Sequence, residues 1–147
     1  MLTRRTLVEG LAMQTGSRLL RYEVWDVFTS KPFGRNPPGV FFEADGLTTQ
    51  HMFALTREMN HSETTFVTRD QKVRIFTATQ ELPFAGHPVL GTAFALHRKS
   101  PGTKRVVVNV PQGAIPVEFE GVTAMMLQTK PEFRETHEAA VIGPMLG

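Results

Sequence analysis

The chain has 147 residues, 41% hydrophobic and 20% charged, with a formal net charge of +2, which suits one globular domain with a sizeable core rather than a disordered chain. No basic run interleaves with aromatics, so the pI near 9.3 carries no nucleic-acid footprint, and no apolar run approaches the roughly 20 residues that cross a bilayer. Cysteine is absent, which excludes disulfides, thiolate metal sites and cysteine nucleophiles and fits a reducing cytoplasm.

Residues 1–20, "MLTRRTLVEGLAMQTGSRLL", carry a paired arginine like that of an export signal. Glu9 interrupts the apolar segment and no small-x-small cleavage site follows, so the stretch is read as an N-terminal extension. "RYEVWDVFTS" alternates with β-branched and aromatic content and predicts a strand. "KPFGRNPPGV" is a Pro/Gly turn, and "VFFEAD" predicts a second strand. "LTTQHMFALTREMN" predicts a helix capped by Thr48 or Thr49, with Met52, Leu55 and Met59 on one face. "SETTFVT" and "VRIFTA" predict strands joined by the polar "RDQK".

"HPVLGTAFALHRKS" differs from the other helix. Pro88 suits a first helical turn, and Val89, Leu90, Ala93, Phe94, Ala95 and Leu96 leave almost no polar face. Such a helix wants burial on all sides. Strands follow at "RVVVNV", "IPVEFE" and "AMMLQT". Several strands with one very apolar helix predict an α+β fold, a curved sheet wrapped around that helix.

Two element boundaries carry chemistry. In "FAGHPVLGTA" a helix N-terminus offers free N–H groups to a carboxylate or phosphate. Gly86 permits close approach there, and His87 either caps the helix or lines a site. In "MNHSETTFV", Glu63 sits near apolar neighbours that penalise its charged form, which suits a general acid/base; the alternative is a solvated acid at a strand start. Glu81 reads as a turn acid held by hydrogen bonds. Asn36 either forms an Asx turn or aims its amide into a cleft. His51, His61, His87, His97 and His137 lack metal-ligand spacing, so no metal site is expected.

Several motifs in this order resemble the PhzF-like family of phenazine-biosynthesis isomerases. They are Asp26-Val27-Phe28-Thr29, Asn36-Pro37, Asp45-Gly46-Leu47, Glu58-Met59-Asn60, Ser62-Glu63-Thr64-Thr65 and Glu81-Leu82-Pro83-Phe84-Ala85-Gly86-His87-Pro88. The likeness runs from Tyr22 to the mid-130s. It implies the diaminopimelate-epimerase-like fold, with two similar lobes, each an antiparallel β-barrel around a central apolar helix. This chain would supply one lobe, residues 21–130, with 131–147 as the start of a missing second lobe.

The resemblance also implies roles. Glu63 would be the general acid/base, moving a proton between carbons of a small carboxylate-bearing metabolite. Ser62, Gly86 and His87 would bind or polarise the substrate, with Asn36 contributing, and no cofactor would be needed. Epimerases on this fold use cysteines, which this chain lacks. Arg35 and Pro38-Gly39 depart from the family's usual "GNPAAV", and the absent second lobe would bring an acidic residue. A rival reading is a one-lobe, non-catalytic binding or interaction protein with an apolar face. A homodimer could instead rebuild the two-lobed cleft. Nucleic-acid and membrane partners are not expected.

Overall fold

Strand side chains alternate between two apolar clusters, and that alternation sets the architecture. The structure, a computed structural model, describes residues 3–9, 19–31, 33, 36–128 and 130. A six-stranded sheet runs in the order β1 (Thr3–Glu9), β2 (Arg21–Asp26), β3 (Gly39–Phe41), β4 (Thr64–Val67), β5 (Val73–Phe76) and β6 (Glu81–Leu82). On one face Tyr22, Phe41, Phe66 and Phe76 meet Met52 and Leu55. On the other, Trp25, Val40, Val67, Val73 and Ile75 meet Val89, Leu90 and Ala93.

The first face is covered by α1 (Thr49–Met59). Thr48 caps it in a reciprocal box: Thr48 Oγ1 accepts from the His51 N–H at 3.2 Å, and His51 Nδ1 accepts from the Thr48 N–H at 3.5 Å. Asn60, left-handed at φ 52°, ends the helix and turns the chain toward β4. Phe41 and Phe66 stack at 5.2 Å, and Phe76 meets Phe66 edge-on at 5.5 Å, so α1 rests on an aromatic ladder.

The second face receives α2 (Gly86–His97), the helix expected to be buried all round. Val89, Ala93 and Ala95 have no exposed surface. A Cβ on Gly91 would lie 2.6 Å from Pro38 Cγ, so glycine lets α2 approach the start of β3. A three-stranded sheet, β7 (Arg105–Val110), β8 (Gly113–Glu120) and β9 (Thr123–Met126), packs against the helix as well. Its Val108, Val110, Ile115 and Val117 complete the core around α2.

The α+β class and the central helix are as expected, but a closed antiparallel barrel is not. Among the described residues there are two sheets, linked by the isolated parallel bridge Lys72–Asn109. Two features account for this. After β6, two residues long, the chain turns directly into α2, so the edge is not extended. Between β3 and β4 the chain crosses over through α1, which makes that pair parallel while its neighbours are antiparallel. Thr3–Glu9, expected within an extension, pairs with β2 along the edge. The tail 131–147 and Arg35 lie outside the described residues. No helix among the described residues is long and apolar enough to cross a membrane.

Candidate active site

Glu63 stands between the left-handed turn at Asn60 and the first residue of β4. Its carbonyl accepts from the Gly39 N–H at 3.2 Å, which ties this boundary to β3. Two residues on, Thr65 Oγ1 donates to the Gly39 carbonyl at 3.2 Å and lies 2.9 Å from Thr92 Oγ1. Thr92 is then left to donate to Thr65. Both threonines are fully buried. This clamp sets the height of α2 against β4, and with it the position of His87 relative to Glu63.

His87 lies in the first turn of α2. Ala85 is the capping residue and makes no side-chain cap bond, so the imidazole is not the helix cap. The first helical bond runs from the Val89 N–H to the Ala85 carbonyl at 3.2 Å. Pro88 has no N–H, and those of Gly86 and His87 find no acceptor among the described residues. The turn therefore presents free donors at the positive end of a mostly buried helix.

The two boundaries converge. His87 Nε2 lies 3.0 Å from Glu63 Oε2, with the side chains 16% and 19% exposed. Both atoms are shielded, yet neither makes a well-aligned hydrogen bond to a protein group. Burial holds the imidazole below its ordinary pKa, and the Glu63 charge opposes that shift without cancelling it. At neutral pH His87 is therefore uncharged, beside a carboxylate with hydrogen-bonding capacity to spare.

The other expected residues sort themselves by their partners. Ser62 Oγ donates to Asn36 Oδ1 at 2.7 Å in an exposed pair that pins the Pro-rich turn beside Glu63. Glu81, expected to be structural, accepts from Arg74 Nε at 2.7 Å and Arg74 Nη2 at 2.6 Å. No cluster of three or more metal-ligating side chains occurs among the described residues. Two features escaped the sequence reading: the Thr65–Thr92 clamp and Gln128. A Cβ on Gly86 would lie 3.0 Å from Gln128 Nε2. The period-two pattern of "AMMLQT", which sets Met126 and Gln128 on one side, was the signal available.

A wide depression of about 720 Å³ lies elsewhere. It opens at the C-terminal end of α2, between His97, Lys104, Arg105, Glu118 and Phe119, and contains none of the residues above. An open groove whose charged side chains, Lys104, Arg105, Glu118 and Glu120, are exposed to solvent is a weaker candidate than a shielded acid–imidazole pair.

Residues 25–140 match the family model described as phenazine biosynthesis-like protein. The trans-2,3-dihydro-3-hydroxyanthranilate isomerase of Pseudomonas aeruginosa is 46% identical over 105 residues, covering 68% of this chain and 37% of that protein. An uncharacterized isomerase of Pasteurella multocida is 49% identical over 84 residues, 53% of this chain and 29% of its own length. Among solved structures, a PhzF-family protein of Enterococcus faecalis superposes with a TM-score of 0.64 at 28% identity, over 69% of this chain and 41% of that one. The chain thus spans well under half the length of each of these relatives.

Proposed function

From the premise that this chain belongs to the phenazine biosynthesis-like protein family, we propose that it carries the acid/base half of a cofactor-independent isomerase. Glu63 is the proton carrier. Its carboxylate takes a proton from one carbon of a small acid and returns it to another, so nothing is gained or lost overall. Neutral His87 holds or polarises the substrate. The free N–H groups of Gly86 and His87 receive its carboxylate, and Ser62 and Asn36 border the same edge.

The observation that carries this reading is the 3.0 Å approach of Glu63 Oε2 to His87 Nε2, shielded and not aligned in a hydrogen bond. Acid/base transfer of this kind needs no metal or cofactor. Similarity to the trans-2,3-dihydro-3-hydroxyanthranilate isomerase supports a cyclic dihydro-hydroxy acid as the class to assay first. The absence of cysteine agrees with work in the cytoplasm. The test is turnover of that substrate by the wild-type chain and by Glu63→Gln. Loss of proton transfer with an unchanged fold supports the assignment, and equal rates sink it.

A second reading, a non-catalytic interaction protein, is favoured by one observation. Val122, Met125 and Leu127 are 62%, 64% and 80% exposed along and beside β9. The same side chains are the natural contact of a homo-oligomer. Sedimentation of the wild type against Met125→Lys separates the two ideas. Self-association lost together with turnover supports a catalytic assembly, whereas self-association without turnover in either protein supports the interaction reading.

A further inference from the structure

Resting on the isomerase reading, we infer that Gln128 is a substrate-positioning residue of the same site, its side-chain amide donating to the carboxylate of the bound acid beside Gly86 and His87. The placement follows from the strand. Met126 pairs with Val117 of β8, which is fully buried in the core around α2, and Met126 packs on the same core. Met125 and Leu127 point outward, 64% and 80% exposed. Side chains alternate along an extended chain, so Gln128 returns to the side of Met126 and faces α2. Both reach the same glycine: a Cβ on Gly86 would lie 3.0 Å from Gln128 Nε2 and 3.8 Å from Met126 Cε.

Gly86 thus fills a second role beside permitting approach of a ligand. It leaves room for the amide to lie over the first turn of α2, and alanine there would push Gln128 away. Gln128 makes no hydrogen bond to any described group, so its donors are uncommitted. A carboxylate draws the N–H side of a free amide toward itself, whichever way the amide rests without ligand. Three donors then converge from two elements: the Gly86 and His87 N–H groups along the helix axis, and the Gln128 amide from the strand side. The metabolite's acid group is fixed at one end while its reacting carbons face Glu63. The chemical class is a small ring or chain carboxylic acid, and a neutral carboxamide is disfavoured, because its NH₂ would face donors with a donor.

The test is a titration of the ¹⁵N-labelled full chain with anthranilate and, separately, with the neutral 2-aminobenzamide. Anthranilate is expected to move the Gly86 and His87 amide signals and the Gln128 side-chain NH₂ signals together, and the amide analogue to bind at least about tenfold more weakly. Gln128→Glu sets a carboxylate against the ligand's own. It should weaken anthranilate by about tenfold or more, and in turnover raise KM while leaving kcat nearly unchanged. Because Gln128 is exposed, this variant should keep the wild-type spectrum elsewhere. If anthranilate shifts Gly86 and His87 but binds Gln128→Glu as tightly as wild type, the role of Gln128 is overturned and the site stands. If it shifts neither Gly86 nor His87, the site itself falls, and Gln128 with it.

Discussion

The two ends of α2 each bring a carboxylate to a basic partner, and they do opposite things with it. At the C-terminal end Glu23 of β2 is fully buried and saturated. It accepts from the guanidiniums of Arg21 and Arg98, and from the Trp25 indole N–H at 3.0 Å. Arg98 is the residue that ends α2, so the network fastens the helix to the sheet. At the N-terminal end Glu63 faces one imidazole, kept neutral by burial, and neither shielded atom forms an aligned hydrogen bond. A carboxylate whose lone pairs are filled by cations cannot accept a substrate proton without breaking the structure. One left partly unfilled can. The same residue type is scaffold at one end and reagent at the other, and the difference lies in its partners.

That contrast is open to direct test. Glu63→Gln should lower turnover by roughly 10²- to 10⁴-fold, the range for a lost general acid/base. Thermal unfolding should scarcely move, because the carboxylate holds nothing in place. Glu23→Gln should do the reverse, costing about 3 kcal/mol in urea unfolding, since two guanidiniums lose the charge they were ordered around. An activity loss in Glu23→Gln larger than its loss of folded protein would erase the distinction between the two ends.

The clamp that joins the ends to one frame should show a smaller effect. Thr92→Val keeps the volume and removes the hydroxyl bonded to Thr65 at 2.9 Å. About 1 kcal/mol of stability is expected to go, a typical net value for one hydrogen bond. Turnover should fall as well, because His87 sits one helical turn and a little more above that contact. Turnover equal to wild type in Thr92→Val would show that the clamp does not position the pair.

The smallest expected effect is pH dependence from His87. Its folded pKa lies below the ordinary value of about 6.5. As pH falls from about 6.5 toward the folded value, the unfolded chain binds a proton that the folded chain refuses, so stability declines across that window and is unaffected above it. His87→Gln should flatten this slope in urea unfolding measured at a series of pH values. A slope identical in the variant would assign it to other groups.

Much of this was legible in the chain. Alternation with β-branched and aromatic content marked the strand at "RYEVWD", short runs between turn signals marked those that follow, and "HPVLGTAFAL", apolar all round, required a helix with neighbours on every side. Thr48 or Thr49 announced the start of α1 because a capping hydroxyl acts on N–H groups only three residues away, and the fold chose Thr48. Glu63 and His87 were visible as candidates for the same local reason, each an ionisable group at an element boundary. The sheet ends were not legible. A closed barrel and two sheets joined by one bridge share the same alternation, and only the crossover through α1 and the brevity of β6 decide between them.

By itself, then, the sequence determined the local elements, the buried helix and the chemistry available at two boundaries, because those follow from contacts within a few residues. Tertiary structure alone decided that Glu63 and His87 meet at 3.0 Å, that Thr65 and Thr92 fix their heights, and that Gln128 reaches Gly86. Each of these joins residues from separate elements. Side-chain alternation states which face a residue is on, and only the packing of β4, β9 and α2 against one another states what that face meets.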